Sequence, residues 1–202
     1  MSIDERAQEF LRRNLTLEDA LPTRMPIYVN SFSYFFGTIT LSALGVIVTS
    51  GFIIAIFGPT WWHYSPAGHF INSAHFWGTE IFYFGLVLHM LTKFFKAAWR
   101  NGRWRTWTVG SIALAISFFA GITGTLLQTD WDAQWNAVSG KDAFNALGLS
   151  WINPLNLGQL LLVHVIVFPA LLLFFVAIHI VLVRNESPVP PIEKEPAGVH
   201  HE

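Results

Sequence analysis

The sequence predicts an all-α integral membrane protein: four transmembrane helices in a bundle, an N-terminal surface helix, and short helices in the last connection between spans. Three observations predict it. Only 12% of the 202 residues are charged, and 52% are hydrophobic; a soluble domain carries about 25% charged residues. Four apolar stretches are each long enough for a ~30 Å hydrocarbon core, which takes about 20 helical residues. Lysine and arginine concentrate on alternate connections, as they do when one side of a membrane is favoured. Helices are the expected element because they satisfy their own backbone polar groups in lipid.

In chain order, residues 1–30 form a polar arm with Phe10 and Leu11 set among charges, a pattern for an amphipathic surface helix. The arm lacks the apolar core of a signal peptide, so no cleavage is expected. The spans run from about Phe32 to Phe57, Ile71 to Trp99, Trp107 to Leu127 and Leu157 to Val183, within a membrane domain of residues 31–184. The arm carries Arg6, Arg12, Arg13 and Arg24, and the loop after the second span carries Lys93, Lys96, Arg100, Arg103 and Arg105. Arg184 follows the fourth span. The first connection has no Lys or Arg, and the third has only Lys141, against Asp130, Asp132 and Asp142. Both termini are therefore expected to be cytoplasmic. Tryptophans 61, 62, 99, 104, 107, 131, 135 and 151 mark span ends as an aromatic belt does. Residues 185–202 read as a flexible, proline-rich tail. A net charge of -1 gives no reason to expect nucleic acid.

Four of the eight histidines fall inside the spans, where an ionisable group is costly and marks a ligand or relay. His75 and His89 are fourteen residues apart, about −40° from whole turns and roughly 21 Å along the axis. His164 and His179 are fifteen apart, about +60° and roughly 22 Å. The second and fourth spans run the same way. His75 then faces His164 on the outer side, and His89 faces His179 on the cytoplasmic side.

Two imidazoles without a carboxylate or thiol make a poor zinc or iron site, and the chain has no cysteine for disulfides, iron–sulfur clusters or covalent heme. Heme supplies four nitrogens itself and needs only axial ligands. Gly37 and Gly51 in the first span, and Gly110 and Gly124 in the third, repeat the fourteen-residue interval. Glycine lets a flat macrocycle approach a helix closely. The expectation is two stacked, non-covalent b-type hemes, one on His75 and His164, the other on His89 and His179. A lone buried histidine is usually a core residue, and small residues often serve helix packing. Matched intervals on parallel spans argue against both. His63 and His69 read as loop residues, and His200 and His201 as tail residues.

At these residues the chain resembles cytochrome b of the quinol–cytochrome c oxidoreductases, and more closely the short, split form of cytochrome b–f-type complexes. The resemblance runs from about Tyr28 to Pro191. It rests on YVNSFSYFFG, on RWRTW at Arg103 to Trp107, on GITG with Asp130 and Trp135, on HVIVFP with Pro169, and on Arg184 five residues after His179. DAQW followed by KDAFNALG is similar to bacterial, menaquinol-using versions. The resemblance implies a subunit of a quinol:cytochrome c oxidoreductase in a bacterial cytoplasmic membrane. It implies electron transfer from an outer quinol oxidation site to a cytoplasmic-side quinone reduction site, coupled to proton translocation. Its implied partners are a separate subunit with the remaining cytochrome b helices, a Rieske-type iron–sulfur protein and a c-type cytochrome, in a dimeric complex. Lys93, Arg103 and Arg184 are the expected cations for heme propionates or the quinone reduction site.

The chain departs from the family in four places. Asn72 stands where an arginine is usual, and Gln128-Thr129 stands where the family has Pro-Trp. Tyr34 occupies the position of a cysteine that carries an extra heme, so no covalent heme is expected. The Pro-Glu-Trp-Tyr motif of the other half is absent. Glu80, inside the second span, is a candidate for a proton or quinone role or for a hydrogen bond to a neighbouring helix. Two other readings stay open: a di-heme membrane anchor of a dehydrogenase or hydrogenase, and a heme-free channel or transporter.

Overall fold

The computed structural model describes residues 32–185, with Glu5, Arg6 and Glu9, which are helical, ahead of them. The rest of the expected surface helix and the tail from residue 186 lie outside the described residues. Helix α1 is Phe32–Phe57, α2 is Pro66–Phe95, α3 is Trp104–Leu126 and α4 is Trp131–Ala146. Helix α5, Leu157–Leu161, continues through a π-helical turn, Leu162–Val167, into α6, Phe168–Asn185, as one rod.

Capping residues decide where α2, α4 and α5 begin. Helix α2 starts ahead of the apolar run at Ile71 because Ser65 accepts from Gly68 N at 3.2 Å and Pro66 fits the first helical position. It stops before Trp99. The following loop needs left-handed backbone at Ala97 (φ 50°), Asn101 (φ 58°) and Gly102 (φ 82°). The connection before α5 holds one helix of 16 residues, where several short ones were expected. Asp130 starts it, accepting from Ala133 N at 2.8 Å.

Helices α1, α3 and the α5–α6 rod are long and apolar enough to cross a membrane. Helix α2 has 30 residues and is the longest, but it carries Glu80 and Lys93 among its apolar residues. Large apolar side chains such as Phe52, Phe84, Phe119 and Phe174 are exposed, an exterior suited to lipid or to other subunits. The described residues form an all-helical membrane protein.

Helix α1 packs along α2, and α3 packs along α6. The two pairs meet in one buried cluster of Ala43, Leu44, Phe82, Ala113 and Leu172. Leu44 is midway in sequence between Gly37 and Gly51, and Phe82 is midway between His75 and His89. The core therefore sits between the two histidine levels. Beside it the Tyr83 hydroxyl donates to the Ser117 carbonyl, tying α2 to α3. A side chain at Gly121 would overlap the Tyr83 hydroxyl, so this close approach requires glycine.

Candidate functional site: two histidine pairs

The structure brings the four span histidines together in pairs. The His75 and His164 ring centroids are 6.4 Å apart with planes at 78°. The His89 and His179 centroids are also 6.4 Å apart, with planes at 80°. One metal with two bonds of about 2 Å each, plus ~1 Å from each nitrogen to its ring centre, puts two centroids about 6 Å apart. The separation therefore fits one metal shared by each pair.

The π turn brings fourteen- and fifteen-residue intervals into one register. Pro169 has no N–H, and its ring crowds the carbonyl four residues back. The rod answers by widening: Phe168 N–H bonds Val163 O, five residues back. A widened turn inserts about one extra residue, so fifteen residues across it cover the angle of about fourteen in a regular helix. His164 lies inside this turn.

Each glycine faces its own histidine. A Cβ at Gly51 would lie 2.9 Å from His75 Cε1, and one at Gly124 would lie 2.7 Å from His164 Cε1. A Cβ at Gly110 would lie 2.8 Å from His179 Cε1, and one at Gly37 would lie 3.2 Å from His89 Cε1. The glycines were expected to admit a macrocycle. Among the described residues their nearest neighbours are the imidazole rings, which need the missing Cβ to reach the facing backbone.

Backbone carbonyls orient three of the rings. His75 Nδ1 donates to Ile47 O at 3.0 Å, His164 Nδ1 to Ala120 O at 3.0 Å, and His179 Nδ1 to Thr106 O at 3.1 Å. Each acceptor stands four residues before the facing glycine. A carbonyl cannot donate, so the proton is on Nδ1 and the Nε2 lone pair is free for a metal. At the fourth ring the same register points to Ser33, but His89 Nδ1 and Ser33 Oγ are buried without a partner among the described residues. Sequence reading missed Ser50 and Thr123, whose hydroxyls lie 3.1 Å from His75 Nδ1 and 3.2 Å from His164 Nδ1. Their signal was a hydroxyl residue directly before a glycine.

Lys93 is one turn beyond His89, within electrostatic reach of both His89 and His179. Arg103 Nε donates to Ala98 O at 3.2 Å, bracing the loop ahead of α3. Arg184 is exposed in the last turn of α6. Gln128 and Thr129 form the turn into α4, with Thr129 left-handed at φ 57° and its carbonyl accepting from Gln134 Nε2 at 2.9 Å. Asn72 is half-buried three residues before His75. Glu80 is exposed on α2. In the first connection His63 stacks on Trp62 at 3.8 Å, and both His63 and His69 are exposed.

The fold and site define a helical membrane protein with two histidine pairs held at opposite ends of a shared core. The chain belongs to the cytochrome b (N-terminal)/b6/petB family, whose profile matches residues 80–201. That match includes His89, His164 and His179, while His75 lies just ahead of it. The cytochrome b6 of Heliomicrobium gestii is 25% identical over 137 residues, covering 62% of this chain and 64% of that protein. The menaquinol:cytochrome c reductase cytochrome b subunit of Geobacillus thermodenitrificans is 23% identical over 195 residues, covering 82% and 84%. A chain of a hyperthermophilic respiratory Complex III shares the fold, with a TM-score of 0.72 and 22% identity. That likeness covers 96% of this chain and 58% of the solved one. Thus this chain spans less than two thirds of the Heliomicrobium protein and of the solved chain.

Proposed function

We propose that the chain is the di-heme cytochrome b subunit of a bacterial quinol:cytochrome c-type reductase, active only within its complex. The observation that carries this reading is the equal 6.4 Å separation of two imidazole pairs, one on each side of a shared core. Bound heme would supply the one-electron carrier at each pair. His75 and His164 would hold the outer iron, and His89 and His179 the inner iron. The carbonyls of Ile47, Ala120 and Thr106 hold three Nδ1–H groups, which fixes ring orientation and raises ligand basicity. Gly37, Gly51, Gly110 and Gly124 let the rings sit close to the facing helices. Leu44, Phe82 and Leu172 exclude water between the two levels.

In this reading α2 is the fourth transmembrane helix, and its polar residues face partners within the bundle or the complex. Both termini lie on the cytoplasmic side of a bacterial cytoplasmic membrane. Lys93, Arg103 and Arg184 then share the side of the inner pair, where their charges suit propionates or a reduced quinone. The quinone is menaquinone, and no heme is covalently attached. A separate subunit with the remaining helices, a Rieske-type iron–sulfur protein and a c-type cytochrome complete a dimeric complex that moves protons as it transfers electrons.

The test is a redox-difference spectrum of the purified native complex together with its subunit composition. Two low-spin b-type centres, an iron–sulfur protein and a small helical subunit are expected. A Soret-free chain would sink the reading, and co-purification of a large dehydrogenase would replace the reductase with an anchor.

A further inference from the structure

On the di-heme reading above, we propose that Ser50 and Thr123 are positioning residues that lower the reduction potential of the outer pair. The two hydroxyls stand on different helices, each directly before the glycine that faces an outer histidine. Ser50 is buried, and its Oγ donates to Val46 O at 2.6 Å, with Ile47 O at 3.1 Å. Thr123 Oγ1 lies 3.0 Å from both Phe119 O and Ala120 O. Each hydroxyl proton is therefore directed at a helix carbonyl, and the oxygen is left to accept. The histidine Nδ1 beside it carries the proton, because it also bonds a carbonyl. Each outer Nδ1–H is thus shared between two acceptors, a carbonyl and a hydroxyl.

Among the described residues, no second acceptor stands at the inner pair. The residues before Gly37 and Gly110 are Phe36 and Val109, which have no hydroxyl. His179 Nδ1 bonds the Thr106 carbonyl, and His89 Nδ1 has no partner among the described residues. A hydrogen bond from the second ring nitrogen makes the metal-bound nitrogen more basic. A more electron-rich ligand favours the more highly charged, oxidised iron. The outer centre is therefore biased towards its oxidised form by two added hydrogen bonds that the described residues do not supply to the inner centre.

The alternative for each hydroxyl is ordinary back-bonding to its own helix, a common habit of Ser and Thr. Potentiometric titration of the purified complex separates the two roles, with heme content read in parallel. Thr123→Val should raise the outer potential and leave the inner one in place, and Thr123→Ser should restore it. The Ser50→Ala/Thr123→Val double variant should move the outer oxidation–reduction equilibrium by about tenfold, or ~59 mV for one electron. If Thr123→Val loses the outer heme altogether, Ser50→Ala, which only deletes an oxygen, carries the same test. An outer potential that stays fixed, or a shift common to both centres, would overturn the assignment. Fewer than two hemes in the unaltered complex would instead overturn the di-heme reading, and heme content tells the two failures apart.

Discussion

The pair His75 with His164, outer in the proposed orientation, and the pair His89 with His179, inner in it, share a centroid separation of 6.4 Å and nearly the same interplanar angle. Their surroundings differ. Both outer rings have a carbonyl and a hydroxyl at Nδ1, while among the described residues the inner pair has one carbonyl between two rings. The outer pair also carries the π turn, and the inner pair has Lys93 within electrostatic reach. Ring spacing is therefore set by helix register and by glycine, which both levels share. Electronic environment is set by the residues beside the glycines, which the levels do not share. One repeated frame can thus present two different histidine pairs.

The largest expected effect would break the comparison outright. His89→Leu should remove the inner heme and leave the outer one, which a redox titration reads as one step where there were two. Survival of both steps would refute the ligand assignment. Next comes the glycine series. Gly124→Ala puts a Cβ 2.7 Å from an imidazole carbon, and Gly37→Ala puts one at 3.2 Å. Overpacking of this kind costs roughly 1–3 kcal/mol. Gly124→Ala should therefore lower heme occupancy at the outer pair clearly, and Gly37→Ala should lower it little at the inner pair. Equal losses would mean that glycine contact distance does not govern binding.

A smaller effect should come from Pro169→Ala. It restores an N–H that can close a regular helical turn, so His164 should rotate relative to His179. The low-spin EPR signal of the outer centre should change while that of the inner centre stays put. The smallest effect belongs to Tyr83→Phe, which removes the bond to Ser117 O at the level of the core. A net loss of about 0.5–1.5 kcal/mol is expected, seen as a lower unfolding midpoint in detergent with both potentials unchanged. A shift in either potential would show that the core tie reaches the pairs.

Much of the frame was legible because it is periodic and local. The apolar spans come from composition, and the histidine and glycine intervals come from residue numbers alone. Both pairings expected from span direction appear in the structure as ring contacts. Helix starts were less legible. Ser65-Pro66 and Asp130 are capping signals outside or at the edge of the apolar runs, and a search for hydrophobic stretches passes over them. The crossing of α2 was read from its length, whereas its polar residues set it apart from the other three long helices.

By itself the sequence determined an all-helical membrane chain with four histidines at matched intervals in its apolar stretches, because hydropathy and helical period are properties of neighbouring residues. Only the tertiary structure decided how a fifteen-residue interval comes to match a fourteen-residue one. That answer depends on how the backbone accommodates Pro169, by widening one turn of the rod. Only the tertiary structure, too, decided that the glycines face imidazoles and that Ser50 and Thr123 flank the His75–His164 pair. Those contacts join residues as far apart in the chain as Thr123 and His164, and no local pattern encodes which side chains meet across two helices.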